Sequence, residues 1–308
     1  MTFEVTILGS NSALPAHGRH PTAQVLNHNE KLFLLDCGEG TQIQLSSYHI
    51  RRSKINHIFI SHLHGDHYYG LIGLLTSYHL LRRTEPLHLF CPKGLSDILQ
   101  LNFKYSDTRL IYELIVHEIE SSVHQLIYEN EHITVHTIPM RHRIPCCGFL
   151  FREKKRDRRI LPEKLEAFGI PVADIHALKE GKDLVIDGKL IPNSALTTDP
   201  PAVRSYAFCS DTLYTEELTS QIKGADLLYH EATFMEESSE RAALTYHSTT
   251  LQAAAIARKA AVKKLMIGHF SAKYEDLNLV LREAQTVFAD TMLAVEGSTV
   301  RIGDGIQQ

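Results

Sequence analysis

The segment FISHLHGDHYYG (59–70) carries three histidines and one aspartate within six positions, directly after an apolar run. Neutral imidazole and carboxylate are standard zinc ligands, and a catalytic zinc site keeps one position open for water. An extended segment entering a turn can direct His62 and His64 to one point, and the turn carries Asp66 and His67 to a second point nearby. We therefore expect ligands for two metal ions, because one structural zinc ion needs only four ligands and leaves later His and Asp residues unexplained.

Histidine or aspartate also follows several other predicted strands. The runs LFLL, IFIS, AFCS, LLY and LMIG lead into Asp36, His62, Asp211, His230 and His269, respectively. In α/β sheets ligands bind beyond the carboxyl ends of strands, so these residues could meet at one site. Helical patterns such as GLIGLLTSYHLL and TTLQAAAIARKAAV alternate with the strands, which favours a layered α/β fold.

The composition is that of an ordinary globular protein, with 44% hydrophobic residues among 308. A net charge of −4 gives no overall signature of nucleic-acid binding, so a polyanion would have to meet a local basic patch. The five cysteines are odd in number and form no Cys-x-x-Cys pair, which fits a reducing cytosol. Neither a signal peptide nor a run of about 18 apolar residues is found, so we expect a soluble cytoplasmic protein without membrane contact.

Residues 152–199 interrupt the alternation of strands and helices. The stretch FREKKRDRR holds six basic and two acidic residues, a local charge of +4. A helix-like stretch (LPEKLEAFG) and a hairpin-like one (KDLVIDGKLIP) follow it. We expect this segment to be an arm inserted in a single domain that spans 1–308.

Several further motifs carry a resemblance to a known family. They are LDCGEGTQ, SHLHGDHYYGLIGLL, RHRIPCCGF, FCSDT, YHEATF, YHSTT and GHFSAKY. Together they resemble the ribonuclease Z family of the metallo-β-lactamase superfamily. The resemblance implies an αββα metallo-β-lactamase sandwich with an inserted protruding arm. It also implies a zinc-dependent endoribonuclease that removes the 3′ trailer from precursor tRNA and leaves a tRNA 3′-hydroxyl and a trailer 5′-phosphate.

The resemblance implies two zinc ions per subunit and assigns their ligands. One ion would be held by three histidines, the other by one aspartate and two histidines, and one aspartate would bridge both. In that order the residues are His62, His64 and His142; Asp66, His67 and His269; and Asp211. Asp36 would support the loop that carries the ligands.

The same resemblance assigns catalytic roles to three residues. Asp66 would orient the attacking hydroxide. His247 of YHSTT would protonate the departing ribose oxygen, with Glu231 of YHEATF as its partner. A histidine titrates near neutral pH, which suits this duty; a helix cap at His247 and a structural hydrogen bond at Glu231 are the alternative reading.

Substrate contacts are expected from three other residues. Lys273 and Ser271 lie in GHFSAKY, where the family commonly has arginine in place of Lys273. Arg19 lies in ALPAHGRHPTAQ, which resembles a loop near the cleavage site, with His20 replacing the family's asparagine. Arginine offers a bidentate fork to phosphate that lysine lacks, so the first departure affects the grip on phosphate.

The family acts as homodimers in which the arm of one subunit presents tRNA to the other. The start of the arm in this chain offers phosphate contacts, although a solvated charged loop is the alternative and the family's Gly-Pro turn is missing. The helix GLIGLLTSYHLL could contribute to a dimer interface or simply to the core.

Other functions stay open at this point. A small-molecule phosphodiesterase of the same superfamily would use the same metal site, with the arm gating a pocket. A non-catalytic RNA-binding protein with structural zinc is disfavoured by the surplus of ligands, and hydrolysis of β-lactams or thioesters would need other motifs. The metal used in the cell, the handling of CCA ends and the role of the last thirty residues are not indicated by the sequence.

Overall fold

Two seven-stranded sheets form the framework of the protein. The computed structural model describes residues 2–186 and 188–303. The single domain expected to span 1–308 also includes Met1, Asp187 and 304–308, which lie outside the described residues. The strands of the first sheet are β1 (Phe3–Gly9), β2 (Ala23–His28), β3 (Lys31–Leu35), β4 (Ile55–Phe59), β5 (Leu87–Pro92), β6 (Leu114–Ile119) and β18 (Thr299–Arg301). Those of the second are β7 (Leu126–Glu129), β8 (Ile133–Pro139), β9 (Cys147–Glu153), β14 (Ser205–Cys209), β15 (Leu227–Glu231), β16 (Leu265–Gly268) and β17 (Thr291–Leu293).

Each sheet contains a run of parallel strands. The first sheet has the order β18-β1-β2-β3-β4-β5-β6, and β3 to β6 are parallel. The second has the order β17-β16-β15-β14-β9-β8-β7, and β14 to β17 are parallel. Within each run the carboxyl ends of the strands therefore share one edge, which is where ligand sites form in such sheets.

Helices cover one face of each sheet. Those of the main body are α1 (Thr41–Ser47), α2 (Gly65–Leu80), α3 (Leu95–Tyr105), α7 (Leu218–Gln221), α8 (Ser239–Thr245), α9 (Thr250–Lys259) and α10 (Leu277–Gln285). Helices α1 to α3 share a buried apolar cluster with the first sheet, and α7 to α10 share another with the second. Among the described residues, no helix combines the length and apolarity needed to cross a membrane.

Aromatic side chains fill the space between the two sheets. Phe33 of β3 meets Phe151 of β9 with ring centroids 5.6 Å apart, and Phe59 of β4 meets Phe149 at 5.3 Å. Strand side chains alternate between faces, so neighbouring residues such as Leu34 pack outward in the cluster shared with the helices. The layers are thus helix, sheet, sheet and helix, as the αββα expectation requires.

A second compact unit comprises Asn130–Ile133 and Glu153–Val203, close to the expected arm at 152–199. Its elements are short: β10 (Arg159–Ile160), α4 (Pro162–Ala167), α5 (Ile175–Lys179), β11 (Leu184–Ile186), β12 (Lys189–Ile191), α6 (Asn193–Leu196) and β13 (Thr197–Thr198). Strands β11 and β12 pair antiparallel, as the hairpin-like pattern predicts. The buried hydrophobic cluster of this unit contains three leucines, Leu178, Leu184 and Leu196.

Candidate metal centre

The segment after β4 is extended at His64 and then enters a helix earlier than expected. Helix α2 begins at Gly65, five residues before the predicted GLIGLLTSYHLL pattern, and His64 is its extended N-cap. Asp66 and His67 therefore lie in the first helical turn, so the turn expected at these positions is the start of α2. A carboxylate such as Asp66 is favoured in a first turn because it meets the positive end of the helix dipole.

Two polar residues at strand ends have left-handed backbones. Asp36 follows β3 with φ 54°, and His269 follows β16 with φ 59°. This conformation raises the free energy of a non-glycine residue, and residues that adopt it cluster at functional sites. Gly38, just after Asp36, lets the loop pack closely, since a Cβ at this position would lie 2.4 Å from the carbonyl oxygen of Asp66.

Three histidines and Asp211 form the first group of metal-ligating atoms. Nδ1 of His64 lies 3.0 Å from Nε2 of His62 and 3.1 Å from Nε2 of His142. Oδ2 of Asp211 lies 3.6 Å from Nε2 of His62 and 3.9 Å from Nε2 of His142. These are the residues expected to hold one ion.

The second group consists of Asp66, His67, His269 and, again, Asp211. Oδ2 of Asp66 lies 3.4 Å from Nε2 of both His67 and His269. The other oxygen of Asp211, Oδ1, lies 3.5 Å from Nε2 of His67 and 3.2 Å from that of His269. Asp211 thus turns one carboxylate oxygen toward each group, the arrangement expected of a bridging ligand.

Both groups fit a bound metal ion. A tetrahedral zinc site with bonds of about 2.0–2.1 Å places its ligand atoms roughly 3.3 Å apart, close to the spacings seen here. Nε2 of His67 is buried and has no hydrogen-bond partner among the described residues, as a nitrogen reserved for a metal would be. Buried polar atoms are rarely left unpaired without such a reason.

Hydrogen bonds hold the second ring nitrogen in four of the five ligand histidines. Nδ1 of His67 donates to Asp36 over 2.7 Å, and Asp36 also accepts from the backbone and hydroxyl of Ser61. Three similar contacts join His62 Nδ1 to Ser61 Oγ (3.0 Å), His142 Nδ1 to the carbonyl oxygen of Tyr246 (3.0 Å) and His269 Nδ1 to Thr233 Oγ1 (2.8 Å). Such partners fix the tautomer and the ring orientation of metal ligands.

The electrostatics of the centre favour bound positive charge. Burial disfavours the cation of His67, yet Asp211, Asp66 and Asp36 raise its pKa well above the usual value. Burial likewise opposes ionisation of Asp211, but His269 and His67 lower its pKa well below the usual value. Carboxylates crowded around an imidazole in this way would equally stabilise a divalent cation.

His247 and Glu231 form a hydrogen-bonded pair beside this centre. Nδ1 of His247 lies 3.0 Å from Oε1 of Glu231. The buried Glu231 also accepts hydrogen bonds from the backbone of Thr212, Thr233 and Ser248. Burial disfavours the charged imidazole, but Glu231 raises the pKa of His247 to about 9. The helix cap considered as an alternative is made by Thr249, whose side chain accepts from the backbone N–H of Gln252.

The centre opens into a cavity of about 490 Å³. His64, Asp66, His142, Asp211, His247 and His269 line it, together with Ser271, the one expected substrate contact found there. Two arginines that the sequence analysis missed, Arg143 and Arg241, also line it. Arg143 could have been noticed as the residue after His142, whereas Arg241 lies outside the motifs.

Arg19 and Lys273, the other two expected substrate contacts, are not among the residues that line this cavity. The guanidinium of Arg19 donates to Asn11 Oδ1 over 2.8 Å and to the carbonyl oxygen of Tyr274 over 2.5 Å. The ammonium of Lys273 donates to Glu237 over 2.6 Å and to Ser238 over 3.1 Å. Both cations thus hold loops together within the chain.

His230, a strand-end histidine that could have joined the site, does not belong to either ligand group. It pairs with Ile267 in the sheet, its Nδ1 contacts the carbonyl of Glu231, and the side chain is buried. Because strand side chains alternate, Glu231 points to the site and His230 to the opposite face.

Solved structures identify the class of protein first. A metallo-β-lactamase fold protein from Bacillus subtilis matches with a TM-score of 0.68 at 18% identity, covering 98% of this chain and 100% of that one. Human tRNase Z, short form, matches with a TM-score of 0.70 at 26% identity over 96% of this chain and 98% of that one. The two sheets and the His/Asp centre thus define a protein of the metallo-β-lactamase fold.

The particular family follows from the sequence relatives. A protein from Bacteroides thetaiotaomicron named ribonuclease Z is 48% identical over 303 residues, which cover 98% of this chain and 96% of the relative. The family model described as anti-Pycsar protein Apyc1 matches residues 3–163, a range that ends before Asp211, His247 and His269. Because the similarity to the Bacteroides protein extends over nearly the whole length, the chain belongs to the ribonuclease Z family.

Proposed function

We propose that the protein removes the 3′ trailer from precursor tRNA by hydrolysing one phosphodiester, leaving a tRNA 3′-hydroxyl and a trailer 5′-phosphate. The observation that supports this most directly is the bridging position of Asp211 between two ligand groups, with a histidine–glutamate pair beside it. Relatives of nearly equal length carry the name ribonuclease Z. The same geometry suits attack on phosphorus and protonation of the leaving oxygen.

The metal requirement is part of the proposal. Two zinc ions would be held by the groups His62, His64, His142, Asp211 and Asp66, His67, His269, Asp211. Divalent cations bound there supply Lewis acidity, which activates water at neutral pH and offsets the charge of phosphate oxygens. His/Asp ligand sets also accept other first-row metals, and elemental analysis of the purified protein identifies the metal that is bound.

The side chains of the cavity would then divide the proton transfers. Asp66 accepts a hydrogen bond from the attacking water and orients it. His247 uses Nδ1 to contact Glu231, so its Nε2 is left to donate a proton to the departing 3′ oxygen of ribose. Ser271 adds a hydrogen-bond donor for the phosphate or ribose. The pKa of about 9 keeps His247 protonated at neutral pH, as a proton donor requires.

Substrate selection is proposed to depend on the arm at 152–199. Its basic residues would contact the tRNA backbone away from the scissile bond, in the salt-sensitive manner of phosphate contacts. The test compares wild type with a chain in which 152–199 is replaced by a short Gly-Ser linker. Precursor tRNA and a chromogenic phosphodiester are assayed in parallel, each with zinc and with chelator.

The expected result is a chelator-sensitive cut after the discriminator base, weakened far more by the replacement than hydrolysis of the small diester. Equal loss on both substrates would contradict the role of the arm. Diester hydrolysis with intact tRNA would instead favour the small-molecule phosphodiesterase. A His64→Ala variant that processes precursor tRNA at the full rate and retains the normal metal content would overturn the dinuclear assignment.

A homodimer located in the cytoplasm completes the proposal. Leu71, Leu74 and Leu75 of α2 are buried in the core, but Ile72 lines a groove with Leu101 and other apolar residues of α3. Exposed apolar grooves of this kind often mark interfaces. Light scattering should give a dimer for wild type and a monomer for Leu101→Glu.

The location in the cytoplasm is supported by the cysteines. All five are buried and unpaired, which fits a reducing compartment.

A further inference from the structure

The cations around the cavity fall into two kinds. Arg19 and Lys273 already donate to partners within the chain. Arg143 and Arg241 line the cavity, are exposed, and have no carboxylate partner in the part of the chain that the structure describes. A guanidinium facing a cavity without an acidic partner is available to an anion, and its planar fork matches phosphate oxygens.

Arg143 lies next to a ligand histidine in a contact that cannot be an ordinary hydrogen bond once a metal is held. Nη2 of Arg143 lies 3.2 Å from Nε2 of His64, whose Nδ1 faces His62 and His142. A neutral imidazole that uses Nδ1 as a ligand carries its proton on Nε2, and guanidinium nitrogens are donors only. Two donors then lie side by side without an acceptor, and a phosphate oxygen would satisfy both.

Arg241 occupies the other end of a chain of ring contacts. His64 contacts His142 with centroids 4.9 Å apart, His142 contacts His247 at 5.5 Å, and His247 contacts Phe234 at 6.2 Å. The guanidinium of Arg241 lies 5.6 Å from the centre of the Phe234 ring. This cation–π contact limits the movement of the guanidinium without using its hydrogen-bond donors. The row of rings between the two arginines contains His247, the proposed proton donor.

We propose that Arg143 and Arg241 bind two backbone phosphates of the substrate, on either side of the group that is cut, and that they supply the phosphate grip expected of Arg19 and Lys273. This inference rests on the proposed function, because it takes RNA as the polyanion. Arg143 binds together with the Nε2–H of His64. Arg241 is positioned by Phe234, and Arg19 and Lys273 position the loops that border the cavity.

The test measures the dissociation constant for precursor tRNA as a function of salt, with metal-loaded protein. The variants are made in a His247→Ala background, which slows cutting during the binding measurement and leaves the proposed metal ligands in place. Arg143→Ala and Arg241→Ala are compared with Arg109→Ala, whose side chain is 91% exposed and does not line the cavity. Each cavity variant should weaken binding about tenfold and reduce the salt slope by about 1, and the double variant should lose roughly twice as much slope. Arg109→Ala should match its parent.

Metal content is measured alongside, because Arg143 touches a ligand histidine. Arg143→Gln, which keeps hydrogen-bond donors without charge, should retain the metal and still lose the slope. An unchanged slope in both cavity variants would overturn the inference, as would a loss of slope in Lys273→Ala alone. A wild-type chain that binds precursor tRNA but never cuts it would refute the proposed function, and the slopes would still decide the role of the arginines. Failure of wild type to bind tRNA would overturn both.

Discussion

The metal centre and the second compact unit show two different ways of placing charged groups. At the centre, His62, His67 and Asp211 are almost completely buried, and the histidines are fixed by hydrogen bonds to the remaining ring nitrogen. The second unit has a small cluster of three buried leucines and short elements, and its charged side chains are largely exposed. Chemistry at phosphorus needs positions held to a fraction of an ångström, whereas contact with a phosphate backbone tolerates mobile cations.

The basic segment of the second unit is itself divided. Arg156 pairs with the buried Glu153 at 2.9 Å, and Arg158 donates to Thr197 over 2.7 Å and pairs with Asp199. Lys155 and Arg159 are exposed. Part of the local charge therefore stabilises the unit, and the remainder faces solvent, where it is available for the proposed contact with tRNA.

The largest effect should come from the carboxylate that both ligand groups share. Asp211→Ala removes one ligand from each group, so we expect metal content to fall and cleavage to drop to about 10⁻⁴ of wild type or lower. Metal analysis and single-turnover cleavage measure this. Asp107→Ala, at a side chain that is 92% exposed, should behave as wild type. Full activity in Asp211→Ala would show that the centre is not built around a shared ligand.

The second-largest effect is expected from His247, the proposed proton donor. His247→Ala should lower kcat about 10²–10⁴-fold, the usual contribution of general acid catalysis, with metal content unchanged. Because Glu231 raises the pKa of His247 to about 9, the protonated donor is lost and kcat falls as pH rises through that value. Glu231→Gln lowers this pKa and should move the alkaline limb of the kcat profile to lower pH. A limb that stays in place would mean that His247 is not the donor.

A smaller effect is expected from the support of His67. Asp36→Asn keeps the shape of the side chain but loses the carboxylate that accepts from Nδ1 of His67 over 2.7 Å. Metal affinity should fall about 10- to 100-fold, as for other partners of metal-ligating histidines. Titration with a competing chelator measures the affinity. Unchanged affinity would indicate that burial alone orients His67.

The smallest effect belongs to the exposed cations of the second unit. Lys155→Ala and Arg159→Ala should each reduce the salt slope of tRNA binding by about 1 and leave Tm unchanged. Arg158→Ala should instead lower stability, by about 1 kcal/mol for its hydrogen bond to Thr197. Filter binding and thermal unfolding separate these outcomes. If Arg158→Ala changed binding and Lys155→Ala changed Tm, the division of the segment would be reversed.

Much of the fold and the centre could be predicted because local patterns carry them. The apolar runs LFLL, AFCS and LMIG predict β3, β14 and β16 closely, and the spacing of His62, His64, Asp66 and His67 predicts ligands for two ions. Shorter elements such as β17, β18 and α8 were not predicted, since they depend on neighbours in the sheets more than on their own periodicity. The start of α2 was also misplaced, because the glycines and histidines at 64–70 give no helical pattern.

The sequence by itself determined which side chains can bind metal and move protons, because those capacities belong to residue types and to motifs of a few positions. Only the tertiary structure decided how they are used. It directs the two oxygens of Asp211 to different ligand groups, turns Glu231 toward the site and His230 away, and engages Arg19 and Lys273 within the chain. These outcomes depend on long-range contacts between strand ends and loops, which local spacing does not encode.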